Sequence, residues 1–221
     1  VIALGAGFLF GCVSGCMRAF FGVPTFITTL AWMTMLSGFA YLLTKGFPLT
    51  PFPEWYCKLG NGYVFDRVPV PALFFLATFA AIHFVMNYTT FGRALYAVGG
   101  NPEAARLSGI RVRRVKILVM GIVGLLAALS GILQSAQIQS GSPSTGTGWE
   151  LDVISAVIIG GTSLMGGSGK VWGTFVGVVF LVVLSKGMTM LNTDEYWQRV
   201  VKGVLILAAV LLNQAQRARR K

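Results

Sequence analysis

Residues Val115–Gln137 read VKILVMGIVGLLAALSGILQSAQ. Apart from Lys116 near its start, the run carries no charge. It is long enough to cross about 30 Å of hydrocarbon, which takes about 20 helical residues. Arg111, Arg113, Arg114 and Lys116 crowd one end; Ser130, Gln134 and Gln137 form a polar stripe towards the other. Further apolar runs lie on both sides of it: Val1–Met17, Pro24–Leu43, Val70–Tyr88, Leu151–Met165, Val171–Met190 and Val200–Asn213. The reading is an all-α, polytopic integral membrane protein with about seven membrane-spanning segments. Leu151–Met165 is short for a span and is expected to be tilted, broken or re-entrant within protein.

Composition agrees. Of 221 residues, 55% are hydrophobic and 11% charged, against about 25% charged in soluble domains. Mean hydropathy is +0.72. A soluble chain so apolar has too few polar groups to cover its surface. The net charge of +11 raises a nucleic-acid partner, but the basic residues cluster at the ends of apolar runs, as the positive-inside rule expects. Val1–Gly15 has no basic segment before it and so is not a signal peptide. It reads as the end of a span, with further N-terminal spans expected ahead of it.

If every run crosses, Arg18, the Arg93–Lys116 cluster, Lys170 and the C-terminal Arg217, Arg219, Arg220 and Lys221 fall on one side. That side is cytoplasmic. The opposite side receives Lys45–Pro69, Ile138–Glu150 and Leu191–Gln198, with the acids Glu54, Asp66, Glu150, Asp194 and Glu195. Pro48, Pro51 and Pro53 forbid a long helix in Lys45–Pro69, and Trp55 and Tyr56 suit the headgroup level.

Between the third and fourth runs stands Gly92–Ile110, GRALYAVGGNPEAARLSGI. Asn101 is a good N-cap, Pro102 suits the first helical position, Glu103 complements the positive helix end, and Gly109 stops the helix in a left-handed conformation. A capped helix of about two turns is expected there, with an alanine-rich face suited to a groove on another protein.

Glu103-Ala104-Ala105, three residues and then Gly109 resembles the EAA-xxx-G loop of ABC importer permeases. VPTFITTL at Val23–Leu30, TFGRALYAVGGNPEAARLSGI at Thr90–Ile110 and GWELDVISAVIIGGTSLMGGSGKVWGT at Gly148–Thr174 resemble the ribose, xylose and galactose type of that family. The resemblance covers nearly the whole chain. It departs from the broader importer pattern after Gly109, where the downstream Leu-Pro is missing, as it commonly is in the sugar type.

The resemblance implies that residues 1–221 are one transmembrane permease domain, with residues 99–112 as a cytoplasmic coupling loop. Gly100, Asn101, Pro102, Glu103, Ala104, Ala105, Leu107 and Gly109 would form a coupling helix whose Ala104 and Ala105 pack in the groove of a separate ATP-binding-cassette subunit. The other implied partners are a periplasmic sugar-binding protein and a second permease subunit, identical or not, in the bacterial inner membrane. The cargo would be a monosaccharide or similar polyol. ATP and Mg would belong to the ATPase subunit, with no cofactor bound by this chain.

GGTSLMGGSGK at Gly160–Lys170 is not a phosphate loop: Leu164 stands where the first glycine belongs, and Val171 where Ser or Thr must follow the lysine. It reads as a tight turn, or as a helix break whose Thr162 and Ser163 line a polar path. His83 and Asn87 are four residues apart on one face of the third run. Together with Ser130, Gln134, Gln137, Glu150 and Asp152 they are the candidate substrate pathway, because polar groups in hydrocarbon face protein or a water-filled route. Glu150 and Asp152 have no accompanying nucleophile, His or metal set, so a transport subunit, not an enzyme, is expected. They fit hydrogen bonding to a sugar, a tie to a basic residue, or, for Asp152, a helix start.

Lys186 and Lys202 lie inside late runs without an evident carboxylate partner, which argues against an ATP-independent secondary carrier. A nucleoside, a signalling furanose or a branched-chain amino acid is the alternative cargo. Cys12, Cys16 and Cys57 give no disulfide framework and no zinc set. Gly121, Gly124 and Gly131, and the Gly173–Gly177 pair, are spaced for close helix packing inside one subunit.

Overall fold

The computed structural model describes residues 1–65, 67–163 and 166–218, except the side chains of residues 195, 199, 206, 210 and 212–218. Asp66, Leu164, Met165, Arg219, Arg220 and Lys221, and the side chains of Glu195 and Arg217, lie outside the described residues.

The chain is almost wholly helical: α1 (Ile2–Phe20), α2 (Thr25–Thr44), α3 (Glu54–Asn61), a hairpin of β1 (Tyr63–Val64) and β2 (Val68–Pro69), α4 (Val70–Tyr88), α5 (Thr90–Gly100), α6 (Pro102–Leu107), α7 (Val112–Ile138), α8 (Trp149–Ile159), α9 (Val171–Met190) and α10 (Glu195–Ala218). Among the described residues, α1, α2, α4, α7 and α9 are long and apolar enough to cross a membrane. The sequence led us to expect about seven such spans; two runs differ for visible reasons. The fifth is helical for 11 residues as α8, about 16 Å at 1.5 Å per residue, and ends at Gly160 and Gly161, the latter at φ +80°. The seventh lies in α10, whose apolar stretch is interrupted by Lys202 and bounded by Arg199 and Asn213.

Two local elements add to the sequence reading. The prolines of Lys45–Pro69 do exclude a long helix, but α3 begins directly after Pro53 and the small hairpin follows it. Gly92–Ile110 holds two helices, because α5 precedes the capped α6. Thr89 starts α5, its hydroxyl accepting from Gly92 N at 3.2 Å.

Contacts divide the chain into two compact units, one of residues 1–78 and 105–145, the other of residues 79–104 and 146–221. In the first, α1 lies antiparallel against α7. A Cβ on Gly7 would stand 2.6 Å from Ala128 Cβ, and one on Gly15 would stand 2.7 Å from Ile117 Cα. A Cβ on Gly11 would overlap the Met120 carbonyl, and one on Gly121 would meet Cys12 Sγ at 2.8 Å. These helices touch backbone to backbone, as membrane helices do where small residues repeat every fourth position. Gly124 belongs to this contact; Gly131 does not, since a Cβ there meets nothing within 4 Å.

The antiparallel pairing sets the ends of this unit. Arg18 and Arg113 share one end, where the Arg113 guanidinium lies 5.2 Å from the centre of the Phe20 ring. At the other end α3 is tied to the last turns of α7. Tyr56 Oη donates to Ile132 O at 3.2 Å and lies within bonding distance of Ser135 Oγ. Asn61 Nδ2 donates to Ala136 O and Gln137 O at 3.3 and 3.0 Å, which satisfies carbonyls that a helix end leaves open. Leu49 and Gly141 exchange both backbone bonds at 3.1 Å, fastening residues 45–69 to those that follow α7.

In the second unit α8 and α9 form an antiparallel pair. A Cβ on Gly160 would stand 2.7 Å from Thr174 Cα, and one on Gly177 would stand 3.0 Å from Gly160 N. The Gly173–Gly177 pair therefore packs inside the chain. Elsewhere the helices turn large apolar side chains outward, including Leu42 at 76% exposure and Val183 at 65%. Such a surface is a liability in water and the ordinary surface of a helix in lipid. Threonines in α2 bond within their own helix, Thr34 Oγ1 donating to Leu30 O at 2.6 Å, which lets a hydroxyl sit in an apolar span.

Gly11→Ala should lower stability by about 1–3 kcal/mol, as inserted methylenes do in a filled contact. Gly5→Ala, one turn and a half earlier, should be neutral, since a Cβ there meets nothing within 4 Å. Thermal unfolding of the two variants in detergent checks this; equal melting temperatures would contradict the backbone contact.

Candidate coupling helix and polar pathway

The capped helix forms as its residues dictate. Asn101 Oδ1 accepts from Glu103 N at 3.0 Å and from Ala104 N at 3.1 Å. Pro102 occupies the first helical position and Glu103 the first turn. The helix stops with Gly109 at φ +83°, where Gly109 N donates to Arg106 O and Ile110 N to Ala105 O, both at 3.0 Å. Asn101 does double duty: its backbone N–H donates to Ala97 O at 3.0 Å and closes α5. One residue thus separates two helices and caps both.

The outward face of α6 differs from the one expected in one respect. Ala105 is only 4% exposed and packs within the chain, whereas Leu107 is 85% exposed. A two-turn helix cannot turn both alanines to one partner while also covering the chain beneath it. The apolar surface offered outward is Ala104 and Leu107, with Gly100, Asn101, Pro102, Glu103 and Gly109 also exposed.

The candidate pathway residues fall into separate groups. In the first unit Ser130, Gln134 and Gln137 line one cavity of about 270 Å³ with Phe74, Phe75 and Thr78 of α4. The side chains of Ser130, Gln134 and Gln137 make no hydrogen bond among the described residues, so their donors and acceptors are available to a guest or to water. The cavity is close in size to the smallest ligand sites, about 300 Å³.

In the second unit Asn87 Nδ2 lies 3.0 Å from His83 Nδ1 and 3.0 Å from His83 O. The His83 ring stacks on Phe79 at 6.0 Å and meets Trp172 of α9 edge-on at 6.0 Å. These two residues are engaged with each other and with an aromatic cluster. Thr162 Oγ1 and Thr174 Oγ1 are 3.3 Å apart, and Ser163 N donates to Ser168 O at 2.9 Å. Thr162 and Ser163 therefore shape the turn between α8 and α9.

Asp152 corrects the sequence reading of Lys202. Lys202 Nζ of α10 donates to Asp152 Oδ2 of α8 at 2.9 Å, an ion pair whose amine side chain is 24% and carboxylate side chain 44% exposed. The partners are 50 residues apart in sequence, so no local pattern announced them. Lys186 has no carboxylate partner among the described residues. Glu150 stands exposed in the first turn of α8. Tyr96 was also missed: its hydroxyl donates to Gly169 O at 3.0 Å. The available signal was two glycine doublets, Gly99-Gly100 and Gly166-Gly167, which meet here.

Several apolar spanning helices, close glycine contacts and an exposed capped helix between spans define a multi-pass membrane permease component. Over residues 1–210 the chain matches the family described as the branched-chain amino acid transport system / permease component, and it belongs to that family. It is 42% identical to the ribose import permease protein of Bacillus subtilis, over 87% of this chain and 60% of that protein. It is 42% identical to the ribose import permease protein of Escherichia coli, over 96% of this chain and 67% of that protein. It is 38% identical to the L-arabinose transport system permease protein of Escherichia coli, over 94% of this chain and 63% of that protein. The chain thus spans about two thirds or less of the length of these relatives. No solved structure matches it.

A double-mutant cycle on Asp152→Asn and Lys202→Met, followed by thermal unfolding, should give a coupling of about 0.2–1 kcal/mol, the range of partly exposed ion pairs. Strictly additive single effects would mean that the pair contributes nothing to the α8–α10 contact.

Proposed function

We propose that this chain is the transmembrane part of a permease subunit of a binding-protein-dependent ABC importer, moving a monosaccharide or similar polyol into the cytoplasm. The observation that carries the reading is α6: a helix capped at both ends, held between longer helices, with Leu107 and Ala104 turned outward. The ribose and arabinose names of its relatives support the sugar cargo.

In this reading α6 seats in a groove of an ATP-binding-cassette subunit, and Gly100, Asn101, Pro102, Glu103, Ala104, Leu107 and Gly109 form the coupling element. Ala105 anchors it to the chain. Closure of the ATPase pair displaces α6 and switches access between the two faces, which supplies the bistable element that transport requires. ATP and Mg act on the ATPase subunit. This chain performs no covalent step: it binds, orients and releases. Residues 1–221 act as one permease domain, paired with a second permease subunit, and a periplasmic sugar-binding protein loads the outer face.

The sidedness follows the charge. The end of the first unit that holds Arg18 and Arg113, the C-terminus and α6 are cytoplasmic, and the Leu49–Gly141 tie is external, in the inner membrane of a bacterium. Ser130, Gln134 and Gln137 present neutral donors and acceptors beside Phe74 and Phe75, which suits the hydroxyls and apolar faces of a sugar. A branched-chain amino acid, the cargo named in the family description, favours charged or helix-terminus groups, and no charged side chain lines this cavity. The Asp152–Lys202 pair ties two helices and is no relay of the kind an ATP-independent carrier needs. His83, Asn87, Glu150, Asp152, Thr162 and Ser163 are proposed as pathway residues within the second unit.

Reconstitution of the full-length permease with its ATPase and binding protein tests the coupling. Glu103→Arg with Ala104→Trp should leave the protein in the membrane but remove both uptake and the ATPase stimulation caused by loaded binding protein. Undiminished uptake would contradict the lever. Gln134→Leu should lower uptake at limiting sugar by roughly 3- to 10-fold, the worth of one hydrogen bond, with ATPase binding unchanged.

A further inference from the structure

We propose that the Gly166–Gly167 turn, seated on the Gly99–Gly100 doublet and held by Tyr96, delivers the displacement of α6 to α8 and α9. Tyr96, Gly99 and Gly167 are then positioning residues for the transport step. The inference rests on the coupling role of α6 given above and adds the route by which its motion reaches α8 and α9.

The contact is made without side chains. A Cβ on Gly99 would stand 2.7 Å from Gly167 N, one on Gly167 would stand 2.7 Å from Gly100 Cα, and one on Gly166 would stand 3.0 Å from Gly99 O. Side chains between helices rotate and absorb small shifts; two backbones in direct contact have nothing to rotate, and close-packed interiors transmit strain. Gly166 and Gly167 take φ values of +90° and +76°, which only glycine adopts at no steric cost. The turn is closed by its own bond, Gly166 N donating to Ser163 O at 3.1 Å. Tyr96, half-buried on α5, clamps the far side through its bond to Gly169 O.

Both ends of the contact are firmly joined to what lies beyond. On one side α5 meets α6 through Asn101 alone, and the two caps on that residue fix the corner. On the other, the turn leads within three residues into α9, and Gly160 at the end of α8 lies against Gly173 and Thr174 of α9. The end of α8 and the start of α9 are therefore packed backbone to backbone. A turn that merely joins α8 to α9 needs neither the backbone seat on α5 nor the tyrosine clamp.

The test uses the full-length permease with its ATPase subunit in liposomes, native cysteines replaced by serine and a spin label at Ser108→Cys, directly after α6, or Val153→Cys on α8. The probe is ATP trapped with vanadate, so no cargo is required. Without further change, both labels should report a nucleotide-dependent shift in mobility. Gly167→Ala should keep the shift at residue 108 and abolish it at residue 153. Tyr96→Phe, which removes only the hydroxyl, should keep the first and weaken the second. Merely destabilising variants would lower both together. An unchanged shift at residue 153 in both variants overturns the proposal. No shift at residue 108 in the parent protein overturns the coupling reading itself, and this inference with it.

Discussion

The structure depends on backbone meeting backbone. Lipid offers no hydrophobic drive for one apolar helix to leave it for another, so close approach and dispersion must hold the spans together. Gly7, Gly11 and Gly15 against α7, and Gly160 against Gly173, supply that approach. The large apolar side chains are left for the outer surface. The two least exposed of the buried side chains, Ala136 and Ser155, are small, and Ile158, Leu181, Val98 and Val115 are the few larger ones buried with them. This inverts the arrangement of a water-soluble bundle and explains why so glycine-rich a sequence is still helical.

Polar groups are handled just as economically. Threonine and serine hydroxyls in α1, α2 and α8 bond to carbonyls one turn back, as Ser14 does to Phe10 O at 3.0 Å. The open carbonyls at the end of α7 are met by Asn61. Against that background Ser130, Gln134 and Gln137 stand out, their side chains making no hydrogen bond among the described residues. Ser130 and Gln137 are exposed beside this cavity and Gln134 is half-buried, so water or a polyol can meet their polar groups.

What could be read from sequence was what physics makes local. Asn101, Pro102, Glu103 and Gly109 specify a capped helix within nine residues, and it forms as they require. The apolar runs of α1, α2, α4, α7 and α9 are legible because each is long enough to span by itself. The Asp152–Lys202 pair was not legible, because its partners meet only through tertiary packing. The inward turn of Ala105 was hidden for the same reason: a two-turn helix has no periodicity to distinguish its two faces. The shortness of α8 was anticipated from its limited apolar run. The extra helix α5 was missed because Gly92, Gly99 and Gly100 interrupt it, residues that read as loop, and Thr89 was the one available sign of its start. The meeting of two glycine doublets carried a compositional signal but no address.

The account joins these features into one claim: α6 is a lever worked by a separate ATPase, and the cavity of Ser130, Gln134 and Gln137 lies on the path of a sugar. The most direct test is to purify the full-length protein from its native membrane in mild detergent and identify the chains that come with it. The account predicts an ATP-binding-cassette subunit and a periplasmic sugar-binding protein, with the binding protein's ligand naming the cargo. A preparation that contains neither, and that still transports without ATP, would contradict it.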